Sequence, residues 1–351
     1  MLGNPTVILA GPDACALWLD DDKIQREGAF PDNLEALFGG SGILPLMDGD
    51  AHRERKKLML RGFDREAIEG YVPHYERLFA ERLATWANER EIAGIAQLKR
   101  LSLEGIARSV LGLDESEPDA AVMVQLLADY QQVFKGMTAL PIPLPLTDYR
   151  AGLAAKDRIL AALSELVAAR KKKSREDAIS RVLDARTESG AAIATDRLSL
   201  ELHHAVLAGY IIFAELSCML VELDKAPTLR ERLRKELDGA GAKPGEAFGL
   251  TSLAAMPLLN DLVMETKRFC PNVPLSFGRA RVAFDFQGFH VEKGWFVFLA
   301  VTENNRFATS FDAPEAFDPD RFAAPRREQD RHPHAFVPQG PGTLTQRKCA
   351  G

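Results

Sequence analysis

Apolar residues recur at spacings of three and four through Tyr75, Leu78, Phe79, Leu83 and Trp86, and again across 98–113, 120–134 and 153–167. That period predicts amphipathic helices with one face turned to a core, and at least eight such helices are expected along the chain. The opening run Val7–Ala10 reads as a short strand, and Gly11-Pro12-Asp13 as the turn into a helix over Pro12–Asp20 with Asp13 as its cap. Residues 140–146 alternate leucine or isoleucine with proline, which removes donors and holds the chain extended, so a bend between two helices is expected there. Its apolar content predicts a packed bend and not a solvated linker. Ala205–Leu223 predicts one long buried helix; Glu215 and Glu222 interrupt it and His203-His204 precede it, which argues against a membrane span. After Met256-Pro257 a further helix runs to about Cys270. Beyond it, 277–286 and 295–301 read as strands about turns at Gly288 and Lys293-Gly294, so a small sheet follows a mostly helical body.

Composition sharpens this picture only modestly. The 351 residues are 46% hydrophobic and 27% charged with a net charge of −6, the balance of a globular chain in one large domain or two. The 44 basic residues are scattered among 50 acidic ones, and only Arg170–Lys173 cluster, so nucleic acid is not an expected partner. Four cysteines, at 15, 218, 270 and 349, show no paired spacing and suggest neither a zinc site nor a disulfide framework. The first residues carry no basic and apolar leader, which makes the cytoplasm the default location.

Candidate chemistry concentrates in three places. The last stretch, Phe336-Val-Pro-Gln-Gly-Pro-Gly-Thr-Leu-Thr-Gln-Arg347-Lys348-Cys349, sets a cysteine behind a Gly- and Pro-rich loop with two cations directly before it, an environment that favours thiolate. Taken alone, Cys349 reads first as an inert small residue at a frayed C-terminus, ahead of a metal ligand. Glu265 and Arg268 share a helical face, as an ordinary surface pair would. Arg321, in Phe317-Asp-Pro-Asp-Arg321-Phe322, is an arginine between aromatics in an irregular segment.

In this order and at these separations the three resemble the cytochrome P450 family of haem-thiolate monooxygenases. The resemblance implies a buried structural network of Glu265, Arg268 and Arg321, and Cys349 as the iron ligand and catalytic thiolate. It extends upstream to Asp48–Lys56 followed by Phe63, similar to the helix whose histidine and basic residue face the haem propionates, roles that fall on His52 and Lys56. Arg279 and Arg347 match the remaining propionate positions, with Arg281 the competing choice for Arg279, and Phe336 opens the cysteine loop. The implied fold is mainly α with a small β region, a single domain over 1–351 that binds haem b between the Ala205–Leu223 helix and the Cys349 loop. By the family pattern it lacks the helix that usually follows the cysteine and part of the N-terminal region.

Two departures bear on function. The long helix reads Ala208-Gly209-Tyr210-Ile211-Ile212, so Ala208 and Gly209 match the family while Ile211 and Ile212 occupy the places of the proton-relaying acid and alcohol. Neither isoleucine carries a proton, and Glu215 lies one turn on. The cysteine loop is also longer than the common pattern and resembles that of the peroxide-using branch, whereas the body resembles the branch that hydroxylates retinoids and similar isoprenoid acids. The implied activity is oxidation of an apolar small molecule such as a lipid, isoprenoid or secondary metabolite, fed by a ferredoxin or reductase. Alternatives are a peroxide-driven or hydroperoxide-rearranging enzyme that needs no redox partner, and a non-catalytic haem- or lipid-binding relic. Tyr210, Ile211, Phe213 and Leu275 are candidate pocket residues.

Overall fold

The computed structural model describes residues 4–114, 116, 119–241 and 249–338. These described residues form two compact units, the first made of those up to 29 and from 212 on, the second of those from 30 to 211. In chain order the elements begin with β1 (Thr6–Leu9), α1 (Pro12–Trp18), β2 (Ile24–Gln25), α2 (Asp32–Leu37), α3 (Gly49–Leu60), α4 (Arg65–Trp86) and α5 (Gly94–Val110). They continue through α6 (Asp119–Thr138), α7 (Asp148–Lys172), α8 (Ala178–Asp184), α9 (Thr195–Tyr210), α10 (Phe213–Lys225), α11 (Pro227–Gly239), α12 (Leu250–Ala254) and α13 (Pro257–Phe269). The chain then enters β3 (Leu275–Ala280), β4 (Phe284–Phe286), β5 (Phe289–Val291), β6 (Phe296–Ala300) and the single turn α14 (Val301–Asn304).

The first unit is built on a four-stranded sheet in the order β1-β6-β3-β2, with β1 parallel to β6 and the other pairs antiparallel, beside a β4-β5 hairpin. The sheet is therefore not confined to the late part of the chain: β1 and β2 join strands more than two hundred residues on in sequence. Strict alternation along β3 buries Ser276, Gly278 and Ala280 on one face and leaves Leu275, Phe277 and Arg279 half-buried on the other. Gly278 is required by a close approach, since a Cβ there would lie 2.6 Å from the buried Trp18 ring. Trp18 packs with Ile24, Val297 and Leu299 as the core of this unit. Asp13 does not cap α1: the N-cap is Gly11 with no side-chain cap, and Asp13 sits in the first turn, where its charge suits the helix dipole.

The second unit is helical, α2 to α9. Helices α6 and α7 pack along each other, and α9 packs on α5 and α7. Leu37, Leu78, Leu103, Tyr130, Ile159, Leu163 and Leu198 fill its core. Each apolar stripe read from the sequence lies on a helix of this unit. The 140–146 bend joins α6 to α7 as expected but is not packed. Leu140, Leu144 and Leu146 are exposed, because the two helices pack directly on one another and push their proline-rigid link beyond their ends.

Ala205–Leu223 is not one buried helix. The run Thr195–Lys225 is long and apolar enough to cross a membrane by length and composition. Even so, α9 ends at Tyr210, a turn occupies Ile211–Ile212, and α10 begins at Phe213. Leu198, Leu202, Val206 and Tyr210 of α9 are buried, whereas no residue of α10 is.

Candidate functional site

The buried polar centre of the first unit stands on α13. That helix has a strong apolar stripe, which carries Glu265 and Arg268 inward with Leu262. Both charges are wholly buried and form a double contact, Arg268 Nε to Glu265 Oε2 at 2.6 Å and Nη2 to Oε1 at 2.8 Å. Arg268 also donates to the carbonyls of Asn305, Pro314 and Ala316. From the following irregular segment, Arg321 reaches Glu265 at 3.2 Å and donates to the carbonyls of Asp312 and Ala316. Sequence reading named these three and missed the fourth member. Glu328, also wholly buried, accepts from Arg321 Nη1 at 2.8 Å, from Arg326 Nη2 at 2.7 Å and from the Asp312 amide at 3.0 Å. The core of the network is two carboxylates and two guanidiniums, neutral overall and rich in hydrogen bonds, the condition under which buried charges hold a unique geometry.

Two buried asparagines tie the segment that leads toward the cysteine loop. Asn304 Nδ2 donates to His334 O at 3.1 Å, Asn304 Oδ1 accepts from Cys15 Sγ at 3.2 Å, and the Val337 amide donates to Asn305 Oδ1 at 3.1 Å. Phe336, half-buried between them in sequence, meets Phe322 edge-on with centroids 5.2 Å apart. Arg347 and Cys349 lie outside the described residues.

Arg279 and Leu275 share the half-buried face of β3. Arg279 Nε donates to Gly294 O at 2.9 Å, Nη1 to Gly28 O at 3.2 Å, and the guanidinium lies over the Phe296 ring at 5.1 Å. Arg281 falls beyond the end of the strand, so of the two arginines only Arg279 shares a strand face with Leu275.

In the second unit His52 and Lys56 stand one turn apart on α3, both buried. The segment before α3 is held by Glu201, a buried carboxylate of α9 that accepts from the Leu44 amide at 3.1 Å and from Arg55 Nη1 at 3.3 Å. Burial raises the Glu201 pKa, against the lowering by these donors. Within the second unit a buried imidazole and ammonium stand on one turn, and within the first a guanidinium is braced on an aromatic ring; each is a donor group of the kind that suits a carboxylate such as a haem propionate.

Helix α9 presents two different sides. Gly209 meets Ile106 of α5 so closely that a Cβ would lie 2.6 Å from its side chain. Tyr210 packs edge-on against Phe134, centroids 5.8 Å apart. Two residues is about 200° of helix rotation, so Tyr210 points away from Ala208. It lines, with Phe134, Lys99 and Lys135, a cavity of about 710 Å³ on the α5–α6 side. His203, fully buried, has its tautomer fixed, because Nε2 at 3.0 Å from Leu37 O must donate and Nδ1, 3.3 Å from the Tyr130 hydroxyl, accepts.

Comparison with known proteins agrees with this arrangement. The family profile described as Cytochrome P450 matches residues 1–351. The chain is 26% identical over 354 residues to putative cytochrome P450 120 of Synechocystis sp., covering 100% of this chain and 77% of that one. It is 27% identical over 352 residues to abscisic acid 8'-hydroxylase CYP707A1 of Solanum lycopersicum, covering 97% and 71%. The solved structure of retinoic acid bound cyanobacterial CYP120A1 is similar with a TM-score of 0.87, at 26% identity, over 99% of this chain and 78% of that one. With the profile spanning the chain, the chain belongs to the cytochrome P450 family, haem-thiolate oxidoreductases of the monooxygenase type that act on hydrophobic small molecules.

Proposed function

We propose that this protein hydroxylates an apolar carboxylic acid of isoprenoid type, as one catalytic domain in the cytoplasm. The observation that carries the reading is the likeness, over nearly the whole chain, to a protein solved with retinoic acid. The similar plant protein is named for abscisic acid, which is also an isoprenoid acid. Cys349 would ligate the haem iron, and His52, Lys56, Arg279 and Arg347 would hold the propionates. Bound haem with a thiolate ligand would supply oxygen activation. The chain's own residues contribute the rest. Leu275, on the same face of β3 as Arg279, and Phe213, at the start of α10, offer apolar surface to the substrate. The network of Glu265, Arg268, Arg321 and Glu328 keeps the segment between α13 and Phe336 rigid.

A second reading rests on Ile211 and Ile212. Neither side chain donates or accepts a proton, so the turn between α9 and α10 offers no relay at the two positions where one would be expected. This supports a peroxide-driven form, in which the oxidant arrives already reduced and no ferredoxin or reductase is needed.

The experiment begins with the carbon monoxide spectrum of the reduced, haem-loaded protein beside Cys349→Ala. A red-shifted Soret band that is lost in the variant is expected; its absence from the parent overturns the ligand assignment. Retinoic acid is then offered with a ferredoxin and reductase, or with hydrogen peroxide. Hydroxylated product in the first arm supports the monooxygenase, product in the second arm alone supports the peroxide reading, and product in neither overturns the isoprenoid-acid reading.

A further inference from the structure

The cavity of about 710 Å³ between the start of α5 and the end of α6 lies wholly within the second unit, on the Tyr210 side of α9 and away from Ala208. Helix α6 contributes Gln131, Phe134, Lys135 and Thr138 to it. These stand at i, i+3, i+4 and i+7, so they share one face and run about 10 Å along the helix. The far side of α6 is occupied, since Gly136 closes on α7, where a Cβ would lie 3.2 Å from the Gly152 Cα. The cavity side stays open because α5 opposes it with small residues. Ala93, Gly94 and Ala96 are exposed, and a Cβ on Gly94 would meet nothing within 4 Å. At the back, the buried Tyr210 ring stands edge-on to Phe134. The wall is mainly apolar, and a volume of this size holds a small organic molecule.

The charge in the cavity has one sign. Lys99, in the second turn of α5, and Lys135, in the middle of the α6 face, are its charged lining residues, and no acid lines it among the described residues. The start of α5 adds to that sign. Its N-cap Ala93 supplies no side-chain cap and its first turn holds no acid, so the positive end of a 17-residue helix stands in the cavity wall. Lysines on an open surface would hold an anion only weakly. Here two of them border one apolar trough, and the matching ligand has an anionic head and an apolar body.

We propose that this cavity is a second ligand site, apart from the haem site, that takes a medium- or long-chain carboxylic acid, with the carboxylate between Lys99 and Lys135 and the chain along Ile95, Phe134 and the Tyr210 ring. Because Tyr210 is the last residue of α9, an acid seated there braces the helix end just before the Ile211–Ile212 turn. Occupancy needs no turnover and no substrate at the haem.

The test uses the haem-loaded full chain and a dodecanoic acid that carries a diazirine on its chain, irradiated, digested and mapped by mass spectrometry. Label is expected on the peptides that contain 93–99 and 131–138. Unlabelled dodecanoic acid should compete for both peptides, and dodecanol, with the same chain and no charge, should compete about tenfold more weakly. Lys99→Gln/Lys135→Gln is expected to reduce labelling of both peptides roughly tenfold. Ala96→Trp, a change at an exposed position, puts a ring into the cavity and is expected to abolish the labelling. The competition needs no variant to fold. Absence of label from both peptides, equal competition by the alcohol, or undiminished labelling in either variant overturns the proposal.

Discussion

Glu328 accepts a hydrogen bond from Arg321 at 2.8 Å with both side chains wholly buried, and this contact closes the charge network that Glu265 and Arg268 begin. Removing one member of such a set leaves its partner buried and uncompensated, which costs about 3–5 kcal/mol. Glu328→Gln and Arg321→Met are each expected to lower unfolding free energy by about that amount. The combined variant should cost less than the sum, because the two residues serve one contact. Urea titrations of the three proteins check this; additive losses would place Glu328 outside the network.

Part of that network was legible in the sequence and part was not, for a physical reason. Glu265 and Arg268 share a helix face, and Arg321 stands between aromatics, so each has a local signature. Glu328 lies in Arg326-Arg-Glu-Gln-Asp-Arg331, which reads as a solvated charge run until the irregular segment folds back over it. Asn304, Asn305 and Glu201 are hidden likewise, because a buried polar residue looks like an exposed one until its distant partner is known. The helices announced themselves by period. The break at Ile211–Ile212 did not, since two isoleucines continue the apolar pattern and no glycine or proline marks the turn.

His52 and Lys56, buried one turn apart on α3, are expected to matter for cofactor retention and not for the first unit. A hydrogen bond to a charged group contributes about 1.5–3 kcal/mol, so loss of either donor should speed haem release roughly tenfold to a hundredfold. His52→Leu and Lys56→Met, each followed by transfer of haem to excess apomyoglobin, measure this. Release at the parent rate in both would remove α3 from the haem site.

His203 makes stability depend on pH. Burial holds its pKa at about 4 in the folded chain, below its ordinary value of 6.5. The unfolded chain therefore binds the extra proton between those limits. This contribution to stability is complete above pH 6.5 and falls away as pH drops toward 4, by up to roughly 3 kcal/mol for a group so fully buried. His203→Gln should make the unfolding free energy less steep over that interval, the neighbouring His204, also held at about 4 by burial, supplying the remaining slope. An unchanged slope in the variant would assign the acid loss to other groups.

Gly209 and Ile106 interlock α9 with α5, leaving no room for a methyl group at 209. Gly209→Ala is expected to cost about 1–3 kcal/mol by overpacking. Trimming the partner in Gly209→Ala/Ile106→Ala should recover part of it, so that the double variant is less damaged than the two single losses together. Thermal melts of the four proteins give the coupling directly, and a coupling of zero would contradict the close approach.

Asn304 and Asn305, neighbours in the chain, reach Cys15 on one side and His334 and Val337 on the other, so residues from opposite ends of the sequence share one clasp. Neither flank can then fray by itself. Amide hydrogens of α1 and the Val337 amide should exchange with deuterium together, at the slow rate of β6, as one cooperative opening unit and not as a loose terminus.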